Sequence, residues 1–105
     1  MIYFIESLYW IFIEIEVKSV LKIAFVDDEQ ECLHEIERLC DSFGQDTGYP
    51  VETSSFCSGE AFLEAFDNSG FDVVFMDIYM EGMNGITAAL KMRRQDRHCL
   101  LVFLT

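Results

Sequence analysis

Positive charge is scarce in this chain: seven lysines and arginines stand against nineteen aspartates and glutamates, a formal charge of −12. Phosphate backbones are held by clustered basic side chains, so a nucleic-acid surface on this chain is excluded. The four cysteines, Cys32, Cys40, Cys57 and Cys99, form no CxxC pair and no Cys/His ligand spacing, which argues against a zinc site or a disulfide framework. They read as small core hydrophobes with reduced thiols. An uninterrupted apolar run of membrane-spanning length is also lacking. Ile2 to Ile5 and Leu8 to Ile13 are apolar, but Glu6, Glu14 and Glu16 interrupt the stretch, and a span needs about 18 or more apolar residues with few charges. No basic region precedes it as a secretory signal requires. Reduced thiols without a signal peptide point to the cytoplasm.

What is present suffices for one domain with a core, since the 105 residues are 51% hydrophobic. Residues 1–20 form an apolar and acidic extension. Within it Ile13, Ile15 and Val17 alternate with Glu14, Glu16 and Lys18, the period of a half-buried strand. Residues 21–105 read as a separate unit in which strands and helices alternate.

Lys22 to Val26 and Phe71 to Ile78 are short apolar runs of the kind found in buried parallel strands. After the first, Cys32, Leu33, Ile36, Leu39, Cys40 and Phe43 recur at helical spacing, with Gly44 as the expected stop. Tyr49 to Phe56 is a more polar strand candidate. Ser58 caps a short helix carrying Ala61, Phe62, Leu63 and Phe66, closed by Asn68 to Gly70. Gly82 to Gly85 reads as a loop, Ile86, Ala89 and Leu90 as the buried stripe of a third helix, and Cys99 to Leu104 as a fourth strand. The order β-α-β-α-β-α-β implies a parallel sheet with right-handed crossovers.

Two acidic clusters close the apolar strands: Asp27 and Asp28 follow the first, and Asp77 lies near the end of the third. Carboxylates there sit where strands meet loops, the ligand-binding edge of open α/β sheets. Singly, such residues are more often helix caps or solvated loop groups. Together they are a candidate site for a hard divalent cation, because an oxygen-ligated cation relieves the repulsion among carboxylates.

Four motifs in order, Val26-Asp-Asp-Glu29, Phe75-Met-Asp-Ile-Tyr-Met80, Gly82-Met-Asn-Gly85 and Val102-Phe-Leu-Thr105, resemble the receiver domain of two-component response regulators. The words Asp77-Ile-Tyr-Met80 and Gly85-Ile-Thr-Ala-Ala89 are most similar to receivers that precede LytTR-type DNA-binding domains. The resemblance implies a flavodoxin-like, doubly wound α/β fold with strand order 2-1-3-4. It also implies Mg2+ held by Asp28, Asp77, Asp27 and the backbone carbonyl of Tyr79, and a phosphoryl group taken by Asp77 from a sensor histidine kinase. Thr105 takes the place of a hydroxyl that contacts the phosphoryl oxygen. The family also has a fifth strand followed by a lysine, and two further helices, all missing here, so the chain is expected to be a truncated receiver.

Nothing in the sequence replaces that lysine: Lys22 begins the first strand, about 16 Å from Asp27 at roughly 3.3 Å per residue. Slow or undetectable phosphorylation is therefore expected, along with self-association through the apolar edge of the fourth strand. Two alternatives remain open, a non-phosphorylated interaction module and a non-functional gene fragment. A haloacid-dehalogenase-type phosphatase is disfavoured because it requires Asp-x-Asp, and position 79 is Tyr; the chain is not expected to be an enzyme. His34 and His98 read as surface histidines.

Overall fold

The computed structural model describes residues 20–104, apart from the side chains of residues 67–69. Residues 1–19 of the extension, with its strand candidate, and Thr105 lie outside the described residues. Four strands and three helices alternate: β1 (Leu21–Val26), α1 (Gln30–Thr47), β2 (Val51–Phe56), α2 (Gly59–Ser69), β3 (Val73–Asp77), α3 (Gly85–Arg93) and β4 (Leu100–Leu104). All pairs are parallel, in the order β2-β1-β3-β4. The α/β class and the strand order are those expected from the alternating elements and the resemblance.

The burial of β1 and β3 explains their composition. Ile23 to Val26 and Val73 to Met76 are 0% exposed, because helices cover both faces and a strand flanks each on either side. One face carries Leu21, Ile23, Phe25, Val73 and Phe75 against Leu33, Ile36, Cys40 and Phe43 of α1. Phe25 and Phe75 are register neighbours, and their rings stack at 5.1 Å and 15°. The other face carries Ala24, Val26, Val74 and Met76 against Phe62 and Phe66 of α2 and Ala88 and Met92 of α3.

Several elements differ from the sequence reading. Helix α1 runs through Gly44 and stops at Gly48, which takes φ +70 and donates its N–H to the carbonyl of Gly44 at 2.9 Å. Apolar periodicity ends at Phe43, but one further polar turn continues, with the Thr47 hydroxyl donating to the Phe43 carbonyl at 2.7 Å. The stripe of α3 is also corrected. Ala89 is buried as expected, but its buried companions are Ala88 and Met92, whereas Ile86 is 44% and Leu90 63% exposed. Apolar residues spread over all but the side of Thr87, Lys91 and Arg94, so spacing drew the stripe too far round, towards Ile86 and Leu90; the small residues won the close approach.

The cysteines divide as well. Cys40 and Cys99 are buried as expected, but Cys32 is only partly covered and Cys57, just past β2, is exposed. His34 and His98 are both exposed. No described helix is long and apolar enough to cross a membrane.

Candidate functional site

The site is built by the ends of two neighbouring strands. Val26 and Met76, the last register partners of β1 and β3, are followed by Asp27 and Asp77, which therefore emerge level on the same sheet edge. Asp28 follows one residue later. One carboxylate oxygen from each of Asp27, Asp28 and Asp77 lies within 4.8 Å of the others. Asp27 is buried, at 7% exposure, while Asp28 and Asp77 are more open to solvent. Burial pushes the Asp27 carboxyl above its ordinary range, and the negative charges of Asp77, Glu29 and Asp28 push it the same way. The N–H of Glu29, donated to Asp27 Oδ1 at 3.0 Å, acts against that shift.

The loop from β3 to α3 frames the cluster with backbone donors. Tyr79 N–H donates to Asp77 Oδ1 at 3.2 Å, and Glu81 N–H donates to Asp28 Oδ2 at 3.0 Å. Between them the chain turns Met80 inward, to 9% exposure, and leaves the Tyr79 ring 78% exposed. Gly82 takes φ +74, a conformation side chains rarely adopt. Gly85 N–H donates to the carbonyl of Ile78 at 2.9 Å, and Gly85 packs so closely on Asp77 that a Cβ would overlap the Asp77 carbonyl oxygen. Asn84 then caps α3, its Oδ1 accepting from Thr87 N–H at 2.9 Å.

Positive charge gathers at the other end of the sheet. Lys22 is the second residue of β1, where its backbone exchanges hydrogen bonds with Asp72. Lys91, Arg93, Arg94 and Arg97 belong to the end of α3 and the turn before β4. There Arg93 donates to the carbonyl of Cys99, and Asp96 Oδ1 accepts from His98 and Cys99 N–H. The acidic cluster thus faces solvent without a neighbouring lysine or arginine from these segments.

Of the residues singled out in the sequence, Asp27, Asp28 and Asp77 come together, Tyr79 lies in the loop beside them, and Thr105 is outside the described residues. Pattern reading missed Glu81, whose contribution is a backbone N–H, and the steric role of Gly85. Asn84 before an apolar helix was a readable cap signal; the inward turn of Met80 had none.

Comparison with known proteins adds three findings. Residues 23–105 match the model of the response regulator receiver domain family. The positive alginate biosynthesis regulatory protein of Pseudomonas aeruginosa is 31% identical over 85 residues, covering 81% of this chain and 33% of that protein. The chain spans about a third or less of the length of the curated relatives it matches. Among solved structures, a receiver domain from Clostridium thermocellum superposes with a TM-score of 0.71 at 26% identity, over 81% of this chain and 64% of that one. The response regulator TrrA of Thermotoga maritima, solved with Mg2+ and a beryllium fluoride group, gives a TM-score of 0.60 at 30% identity, over 81% of this chain and 69% of that one. With its four parallel strands and the three carboxylates at their ends, this chain belongs to the response regulator receiver domain family.

Proposed function

We propose that Asp77 is a phosphoacceptor and that the chain works as the receiving half of a phosphorelay, loaded by the phosphohistidine of a sensor kinase. The observation that carries this reading is the meeting of three carboxylates within 4.8 Å at the ends of β1 and β3. An Asp77 oxygen attacks phosphorus, the P–N bond to the histidine ring breaks, and the imidazole leaves with the electron pair. The product is an aspartyl phosphate, so the step is covalent catalysis by a carboxylate.

The donor set is all oxygen, and its most buried member is held above its ordinary pKa by burial and like charge. Such a set fits a small hard cation, Mg2+, rather than a softer metal. Asp28 and Asp77 would ligate it directly, Asp27 directly or through water, and the Tyr79 carbonyl would complete the protein share. When bound, Mg2+ supplies charge neutralisation for the transferred phosphoryl oxygens. The protein's own part is positioning: β1 and β3 fix the three carboxylates, and the N–H of Tyr79 turns the Asp77 carboxylate.

With Lys22, Lys91 and Arg93 at the far end of the sheet, the 105-residue polypeptide is expected to load slowly. We assign the receiver to residues 21–105 and the apolar, acidic extension to residues 1–20. On the wording of the Asp77 and Gly85 motifs, we place the receiver with those that serve LytTR-type outputs. Incubation with acetyl phosphate and Mg2+ tests the phosphoacceptor role by intact mass. A gain of about 80 Da, absent from Asp77→Asn, supports it; an equal gain in Asp77→Asn contradicts it.

A further inference from the structure

The outer face of α3 carries apolar and positive groups together. Ile86 is 44% and Leu90 63% exposed, and they lie one helical turn apart. Lys91, Arg94 and Arg97 are exposed beside and beyond them, while the Arg93 guanidinium is taken up by the carbonyls of Asp96 and Cys99. Four of the seven lysines and arginines in the sequence thus fall between positions 91 and 97. From the Asp77 end of the sheet downward, the face is first apolar, at Ile86 and Leu90, and then basic.

Residues 1–19 have the complementary make-up: Leu8 to Ile13 are apolar, Glu14 and Glu16 follow, and three glutamates stand against one lysine. They join the domain at Val20, at the same end of the sheet as the basic turn. Asp72 N–H donates to the Lys22 carbonyl at 2.8 Å and Leu100 N–H to the Asp72 carbonyl at 3.0 Å. The start of β1 is therefore level with the start of β4, two strand spacings or about 10 Å away. Going back from Val20, the sequence gives Glu16 and Glu14 first and Leu8 to Ile13 afterwards. Going up from the same end, α3 offers Arg97, Arg94 and Lys91 first and Leu90 and Ile86 afterwards, so the order matches as well as the composition. The length from Ile13 to Ser19 spans up to about 23 Å, enough to round the sheet end onto a helix about 14 Å long.

We infer that residues 8–16 dock on the outer face of α3 in the same molecule, Leu8 to Ile13 on Ile86 and Leu90, and Glu14 and Glu16 beside Lys91, Arg94 and Arg97. Covering Ile86 and Leu90 removes apolar surface from water. The glutamates place their charge where this acidic chain is positive. Exposed ion pairs are screened and contribute little singly, so the apolar contact carries the docking and the charges set its direction. The tether at Val20 makes the encounter intramolecular, which favours this segment over a second copy of the chain.

Trp10, the one tryptophan of the chain, lies in the docking segment and reads the contact. Its fluorescence is compared in the full wild-type chain, in Leu90→Asp and in the double charge reversal Lys91→Glu with Arg94→Glu, with urea unfolding in parallel. The expected result is a blue-shifted emission in wild type that moves in Leu90→Asp to the position of the urea-unfolded chain. The charge reversal should give a smaller red shift, restored by adding Glu14→Lys and Glu16→Lys. Wild-type emission already at the unfolded position overturns the inference. So does a blue-shifted emission that Leu90→Asp leaves in place, which would put the indole against another surface. A wild-type emission that reddens on dilution also overturns it, in favour of docking between copies. Should Leu90→Asp not fold, Ile86→Asp on the same face gives the same reading.

Discussion

The α-carbon of Gly85 packs directly on the main-chain carbonyl of Asp77. A Cβ there would overlap that oxygen and come within 2.9 Å of both the Asp77 carbonyl carbon and the Ile78 α-carbon. All the atoms in the way are backbone, so no side-chain rotation can relieve the clash, and the strand end carrying the proposed phosphoacceptor must move. Gly85→Ala is therefore expected to cost about 1–3 kcal/mol in urea unfolding, the range for overpacked sites. It should also slow loading from acetyl phosphate. Wild-type stability and rate in Gly85→Ala would refute this account of the loop.

Asp27 gives the chain a pH dependence of defined sign. Burial and like charge raise its pKa above the ordinary value of 3.8, so the folded chain binds this proton more tightly than the unfolded one. Below the ordinary value both states are protonated; between the two values only the folded state is. Stability contributed by this residue therefore falls as pH rises from the ordinary value through the raised one. In the presence of EDTA, Asp27→Asn should be more stable than wild type at neutral pH, with a flatter pH profile.

Saturating Mg2+ should reverse that ranking. Wild type gains about 2.7 kcal/mol at a cation concentration 100-fold above its Kd, and the variant gains less. Thermal unfolding with and without EDTA reads both halves. A wild-type chain whose melting ignores Mg2+ would contradict the fit of the cluster to that cation.

The thiols should react in an order that sequence position does not suggest. Cys57 is exposed. A hydrogen bond to Glu29, with burial second, pushes the Cys32 thiol up to about 11, and burial pushes Cys40 and Cys99 up to about 12. Since the thiolate is the reactive form, iodoacetamide should label Cys57 first, Cys32 slowly, and Cys40 and Cys99 only on unfolding. Peptide mapping of a short alkylation checks this, and early modification of Cys40 would contradict the packing of α1.

The parts of the molecule that could be read from sequence were those where burial writes a pattern. β1 and β3 are buried on both faces, so their runs are wholly apolar; Ser58 before α2 announces a cap, and its Oγ does accept from Ala61 N–H at 3.0 Å. The parallel order follows from the alternation of strands and helices. What could not be read was decided by backbone or by packing of small groups. Gly44 reads as a stop signal for α1, but helix geometry tolerates glycine and the left-handed turn comes at Gly48. The buried side of α3 was set by Ala88, Ala89 and Met92, a choice blurred by the neighbouring apolar Ile86 and Leu90. At the site the three aspartates were visible as types in a pattern. The Glu81 donor and the Gly85 contact were not, because each acts through main-chain atoms that any pattern of side chains leaves unmarked.

The central claim is that, among three carboxylates sharing one sheet edge, Asp77 takes the phosphoryl group. Borohydride reduction of the chain after treatment with acetyl phosphate and Mg2+, followed by peptide mapping, tests it directly, since an acyl phosphate is reduced to the alcohol and leaves homoserine in place of aspartate. The account predicts homoserine at position 77, accumulating slowly and only when Mg2+ is present. Homoserine at position 27 or 28 in place of position 77 would contradict it.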